Sequence, residues 1–403
     1  MKIIILNFLL FITLSSFAQE RVKVILDATQ YGTYDVTPNI SHDGMVNKGT
    51  VLTIKAKANE GYVFDSSYNT GKGPWSPYYY ESMKPESTII VNESMHIGSS
   101  FIRKELVENL NVTQDVIYAK PGVKALKYDV YAPKEAKNLP CIIIIHGGGW
   151  RGNTEDIMRG LARELANSGR YVVFSIDYRW IENYDGDDKP TKMYQIIEDV
   201  YGAIAHIREH AKQYGADANK LFLTGDSAGG HLAAAAIDFV ERLGNGGFGN
   251  TKGVYEFYPT YMPKGESVSQ LKKELSKSIL GAVPSYAVLN SARLGHYMEK
   301  EGEEAINAVT PACYIPDVSK RAVPQLLFRG TEDPIISDNA VMTYQKALVN
   351  AGQRAEYIQV GGASHAFFDW KPDEMTKATF KKYGEFHASQ MLHFFDSILS
   401  GLK

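Results

Sequence analysis

The chain has 403 residues, 44% of them hydrophobic and 22% charged, with a net charge of −3. That composition is globular and excludes a disordered chain, a collagen and a coiled-coil rod, and the charge leaves no basic field to hold nucleic acid. Two cysteines, Cys141 and Cys313, exclude a disulfide scaffold or a cysteine-rich zinc protein, and the sequence leaves open whether they pair.

The chain opens on Met1-Lys2, an apolar run from Ile3 to Leu14, and then Ser15-Ser16-Phe17-Ala18. A charged start, a short apolar stretch and small residues before a cut are the marks of a secretory signal peptide, expected over 1–18 with cleavage after Ala18. The run is too short to cross a bilayer, which takes about 20 apolar residues. No later segment is long and apolar enough to span, so the mature protein is expected to be exported and soluble, periplasmic or extracellular.

From 19 to 103 the texture is that of strands. Val22–Leu26, Val51–Ala56 and Ser87–Val91 are short β-rich runs bounded by Gly, Asn, Pro and Ser. From 104 to 403 strand-like and helix-like runs alternate. Leu126–Ala132 has period 2, while Cys141–Ile145 is continuously apolar, as a strand buried on both faces is, and Tyr171–Ile176 reads as a second buried strand. Between them, Thr154 can cap a helix carrying Ile157, Leu161 and Leu165, ended by Gly169; Ile196, Val200, Ile204 and Ile207 mark another. Leu221–Thr224, Pro324–Phe328 and Glu356–Val360 read as further strands. The alternation predicts an α/β fold, a mostly parallel sheet with helices on both faces, preceded by a small β-rich domain.

Chemistry gathers at strand ends. Gly225-Asp226-Ser227-Ala228-Gly229-Gly230 follows one strand directly and leads into an alanine-rich helix. That is the context of a nucleophile elbow, where the flanking glycines let the chain reverse sharply and expose the Ser227 hydroxyl. His146-Gly147-Gly148-Gly149-Trp150 follows the strand of Cys141, and its glycines allow backbone N–H groups to approach an oxyanion. No Lys-Ser/Thr follows them, so a phosphate-binding P-loop fails. His146 reads as a scaffold for this loop, and His231 as packing beneath it. A serine needs a base. Gly330-Thr331-Glu332-Asp333-Pro334 offers Asp333 as the acid, with Glu332 and Asp338 as substitutes, and Ser364-His365-Ala366-Phe367 offers His365 as the base. His206 and His210 lack the His-Glu-x-x-His context and read as a solvated helix face; no metal site and no cofactor are expected.

These four strings together resemble the α/β-hydrolase esterases, and most nearly the hormone-sensitive-lipase-like and bacterial feruloyl or acetylxylan esterase groups. The stretch Glu198-Asp-Val-Tyr-Gly-Ala-Ile-Ala-His-Ile-Arg adds to the likeness, which runs from about Leu106 to the C-terminus. It implies the α/β-hydrolase fold, a Ser227–His365–Asp333 triad, and an oxyanion hole from Gly148, Gly149 and Ala228. One departure is an insert, Met262 to Thr310, with the charged clusters Lys272-Lys273-Glu274 and Glu299–Glu304, which is expected to cap the acyl or leaving-group pocket. Earlier in the chain, Gly49–Asp65 and Met95–Phe101 resemble the divergent internalin-B-type repeat. That family usually has a Trp just after the Gly-Tyr-Val-Phe turn, where this chain has Ser66-Ser67, with Trp75 further along.

The resulting expectation is a carboxylesterase acting on acetyl or feruloyl esters, either small molecules or groups on polysaccharide, with no nucleic acid partner and no membrane span; the oligomeric state is open. A prolyl-oligopeptidase-like peptidase, a formamidase and an inert binding protein are the competing readings. Trp75-Ser-Pro-Tyr78-Tyr79-Tyr80 is a ring cluster that either packs within the small domain or stacks on sugar.

Overall fold

A computed structural model describes residues 19–71 and 79–401. Residues 1–18, where a signal peptide is expected, and Trp75 and Tyr78 lie outside the described residues. The chain divides into two compact units, one ending at Arg103 and the other beginning at Lys104.

The first unit is built of strands: β1 (Arg21–Leu26), β2 (Gly32–Thr37), β3 (Met45–Asn47), β4 (Thr50–Ala58), β5 (Tyr62–Thr70), β6 (Tyr79–Ser82), β7 (Glu86–Val91) and β8 (Met95–Arg103). They form a five-stranded sheet, β3-β1-β8-β5-β6, and a three-stranded sheet, β2-β4-β7. Alternate residues of the strands face inward, so Val22, Val24, Leu52, Ile54, Val91 and Ile97 make one apolar core. Ser66 and Ser67 are buried and hydrogen-bonded, Ser66 Oγ to Glu81 (2.6 Å) and Ser67 Oγ with Ser99 (2.8 Å). A polar seam therefore follows the Gly61-Tyr62-Val63-Phe64 turn.

The second unit carries β9 (Leu110–Ala119), β10 (Leu126–Pro133), β11 (Leu139–Ile145), β12 (Val172–Ile176), β13 (Ala216–Asp226), β14 (Ile279–Ser285), β15 (Gln325–Gly330) and β16 (Ala355–Val360). These make one eight-stranded sheet in the order β16-β15-β14-β13-β11-β12-β10-β9. Only the β9–β10 and β10–β12 pairs are antiparallel. The main helices are α1 (Arg159–Asn167), α2 (Met193–His210), α3 (Ser227–Asp238), α4 (Val268–Ser278), α5 (Ser291–Gly295), α6 (Glu303–Ala308), α7 (Asp338–Asn350), α8 (Glu374–Thr379) and α9 (Glu385–Gly401). Strand β12, the Cys141–Ile145 run of β11 and the end of β13 are buried, as central strands of a sheet covered on both faces are. This is the α/β-hydrolase architecture expected from the alternation. Among the described residues no helix is long and apolar enough to cross a membrane.

Two expectations are corrected. The insert over 262–310 is not a single cap, because Ile279–Ser285 within it forms β14, paired in parallel between β13 and β15. The apolar string Ile279-Leu280-Gly281-Ala282-Val283 is short, interrupted by a glycine and preceded by a charged helical stretch, which hides its strand character. Helix α4 before it buries Leu271 and Leu275 and packs against β13. What remains as an excursion is the stretch after Ser285, holding α5 and α6. Nor are His206 and His210 a solvated face: their rings stack at 4.1 Å and His206 Nδ1 meets the Tyr128 hydroxyl at 3.0 Å. Partial burial, with His210 alongside, pushes His206 down to about 4. Cys141 is buried and Cys313 exposed, and both are free.

Candidate active site

The carboxyl ends of β11, β13, β15 and β16 converge on one edge, where a parallel sheet presents its loops. Ser227 is the first residue of α3, directly after β13, and has φ of 50°. A serine held in the left-handed region is strained, and it is fixed here by close packing of backbone on both sides. A Cβ on Gly229 would lie 1.9 Å from the Ile145 carbonyl oxygen, and one on Gly225 2.5 Å from the same atom. The glycines two before and two after the serine are thus a steric requirement of the turn.

The three residues named from separate strings come together. His365 Nε2 lies 3.0 Å from Ser227 Oγ, and His365 Nδ1 lies 2.8 Å from Asp333 Oδ2. Asp333 follows β15, and its other oxygen, Oδ1, accepts the N–H groups of Ile335 (2.7 Å) and Ile336 (2.9 Å). Burial alone would raise its pKa, but the His365 hydrogen bond and these two N–H groups outweigh it and hold the carboxyl below its ordinary value. The substitutes are placed elsewhere. Glu332 is exposed, and Asp338 Oδ1 accepts from the Tyr357 hydroxyl (2.7 Å) and Gln359 Nε2 (2.8 Å).

Gly148 and Gly149 have φ of 112° and 62°, in the region open to glycine. Among the described residues neither N–H has a hydrogen-bond partner. Ala228 stands at the N-terminus of α3, where backbone N–H groups have no acceptor within the helix. His146 is a scaffold in its contacts: Nδ1 meets the Gly147 carbonyl (2.7 Å), Nε2 meets Asp177 (3.1 Å), and the ring stacks on Tyr178 at 4.2 Å. Asp177 in turn accepts from Lys124 Nζ at 2.8 Å. His231 Nε2 meets the Val309 carbonyl (2.8 Å), and its ring lies edge-on to Trp150 at 5.3 Å.

Sequence reasoning missed two contributors. Asp226, buried just before the serine, accepts the Gly147 N–H at 2.5 Å and so ties the glycine loop to the elbow. Burial, with the Asp369 carboxyl nearby, pushes Asp226 well above the usual carboxylate range. Its place inside the elbow string was the available signal. Tyr286, at the end of β14 with φ of 34°, lays its ring 4.7 Å from His365; no motif marks it. Among the described residues Asp115, Asp129 and Glu155 have ligand atoms within 4.8 Å of one another. Lys127 Nζ sits among them, paired with Asp115 and, at 2.9 Å, with Glu155, so the grouping is an ion-pair network already carrying a cation.

A serine on a strand-to-helix elbow, a histidine and an acid on later strand ends, and a glycine loop opposite define the α/β-hydrolase class. Residues 128–348, more than half of the chain, match the BD-FAE family, and the chain belongs to it. A probable isoprenylcysteine alpha-carbonyl methylesterase of Arabidopsis thaliana is 24% identical over 271 residues, covering 63% of this chain and 51% of that protein. The carboxylesterase NlhH of Mycobacterium tuberculosis is 29% identical over 142 residues, covering 35% of this chain and 42% of NlhH. The chain thus spans about half the length of the curated relatives it matches. Among solved structures, the propionate-bound thermophilic esterase Est2 of Thermogutta terrifontis aligns with a TM-score of 0.53 at 22% identity. That alignment covers 72% of this chain and 95% of Est2. At that identity the likeness is one of fold.

Proposed function

We propose that the chain is a serine carboxylesterase in which Ser227 is the nucleophile, His365 the general base and Asp333 its orienting acid. The observation that carries this reading is the unbroken Asp333–His365–Ser227 hydrogen-bond chain ending on a strained elbow serine. Membership of the BD-FAE family and relatives named as carboxylic esterases support it. Ser227 Oγ attacks the ester carbonyl carbon as His365 Nε2 takes its proton. The N–H groups of Gly148, Gly149 and Ala228 hold the developing oxyanion. The C–O bond to the alcohol then breaks, and His365 returns the proton to the leaving oxygen. Water, deprotonated by the same histidine, attacks the acyl-enzyme and releases the acid. No cofactor enters the cycle.

The proposed substrates are acetyl or feruloyl esters, on carbohydrate, met outside the cytoplasm after removal of residues 1–18. Residues 19–103 are read as a surface-type module of the internalin-B kind, a reading supported by its all-β build. The test is a hydrolysis panel of acetylated xylan, acetylated monosaccharides, feruloyl esters and dipeptide amides, run with fluorophosphonate labelling. Turnover of esters with labelling at Ser227 is the expected result. Amide cleavage without ester cleavage, or no labelling, overturns the reading.

A further inference from the structure

A cavity of about 450 Å³ lies beside the glycine loop, lined in part by Arg151, Glu182, Lys192, His296, Tyr297 and Glu301. That volume is in the usual range for small-molecule sites, about 300–1,000 Å³. Its wall and the loop are joined directly. The Tyr297 ring packs on Trp150 at 4.8 Å, and Tyr297 Cε1 lies 4.0 Å from where a Cβ on Gly149 would be. From the other side, the Ile181 N–H donates to the Trp150 carbonyl at 2.7 Å.

Arg151 is the unusual group in this cavity. Its guanidinium carbon stands 5.2 Å from the Tyr184 ring centre and 5.3 Å from that of Tyr297. Its Nε is buried with no hydrogen-bond partner, and no described carboxylate pairs with it. With no carboxylate held on it, the part of the guanidinium that lines the cavity is open to an acceptor from outside. The lining as a whole is electrically balanced: Arg151, Lys192 and Lys300 face Glu182, Glu299 and Glu301, and Lys192 pairs with Glu301 at 3.1 Å. A carboxylate-bearing ligand would meet Glu182 as well as Arg151. An apolar aromatic ring would leave the Arg151 donor unanswered. A neutral ring with adjacent hydroxyls can accept from a guanidinium, donate to a carboxylate and lay a C–H face on tyrosine.

We propose that this cavity is the subsite for the sugar ring of the ester substrate, with Arg151 and Glu182 as its hydroxyl-reading residues and Tyr297 as its stacking wall. The proposal rests on the esterase reading of Ser227 and deepens it by placing sugar selection inside the hydrolase unit rather than in residues 19–103.

The test compares two acetyl esters, acetylated xylo-oligosaccharide and p-nitrophenyl acetate, on the full chain and its Arg151→Met and Glu182→Gln variants. The expected result is a fall in kcat/KM of about tenfold or more on the sugar ester, carried mainly by KM, with p-nitrophenyl acetate changed by no more than about twofold. A parallel fall on both esters, or no fall on either, overturns the proposal. So does a preference for a uronate or hemisuccinate ester that depends on Arg151, which would make the cavity an anion site. Calorimetric titration with deacetylated xylo-oligosaccharide reads the cavity without turnover. Binding that Arg151→Met abolishes supports the subsite even if no ester is hydrolysed, in which case the esterase reading fails alone. Absence of binding to the unaltered chain overturns the subsite.

Discussion

Asp333→Asn separates the role of this carboxylate from its shape. Asp333 Oδ1 accepts two backbone N–H groups, at 2.7 and 2.9 Å, and Oδ2 faces His365 Nδ1 at 2.8 Å. In the variant the amide oxygen must stay on the two N–H groups, since turning the amide N–H toward them would set donor against donor. The NH₂ then faces His365 Nδ1, which becomes an acceptor, and the ring proton moves to Nε2. That nitrogen lies 3.0 Å from Ser227 Oγ and can no longer take its proton. Loss of the productive tautomer lowers kcat by about 10⁴-fold, or ~5.5 kcal/mol of barrier. The fold should hardly respond, because the side-chain volume and both backbone hydrogen bonds survive. Initial rates of p-nitrophenyl acetate hydrolysis, with thermal unfolding as the control, measure both effects. A loss of less than about tenfold would refute the reasoning. So would a larger loss in Glu332→Gln or Asp338→Asn, whose carboxylates are exposed or engaged with Tyr357 and Gln359.

Ser227→Ala should abolish both hydrolysis and fluorophosphonate labelling while changing stability by no more than about 0.5 kcal/mol; residual turnover near the unaltered rate would remove Ser227 as nucleophile. Gly229→Ala puts a methyl 1.9 Å from the Ile145 carbonyl oxygen at the end of a central strand. Neither backbone can withdraw, so the change should cost about 3 kcal/mol or more in urea unfolding, and full stability would disprove the close approach. Asp238→Asn tests a buried acid that accepts from Tyr344 (2.7 Å) and Gln325 (2.9 Å) and that burial pushes up to about 8. Between the ordinary value of 3.8 and about 8 the native state holds a proton that the unfolded chain has released. This group's contribution to stability therefore falls as pH rises through that window. Urea midpoints across this range should fall less steeply in Asp238→Asn than in the unaltered chain; parallel curves would show that Asp238 is ionised when folded.

Much of this protein was legible in one dimension because the relevant physics is local. An elbow needs small residues two before and two after its serine, and Gly225 and Gly229 stand there whatever the rest of the chain does. A strand buried on both faces needs an unbroken apolar run, and Cys141–Ile145 is one. The turns carrying Asp333 and His365 likewise follow short strands with their own boundaries. What the tertiary structure alone decided depends on residues far apart in the chain. His365 meets Ser227 across 138 positions, and Asp226 meets the Gly147 N–H across 79. Strand β14 was hidden because its apolar run is brief, holds a glycine and follows a charged helical stretch, and only pairing with β13 and β15 makes it a strand. The Ser66–Ser67 seam, the Tyr286 ring against His365 and the unanswered Arg151 donor beside Tyr297 have no periodicity or motif. Each exists because folding brought a polar or aromatic group into a low-dielectric space, where its partners, or its lack of them, are set by neighbours that composition and spacing do not specify.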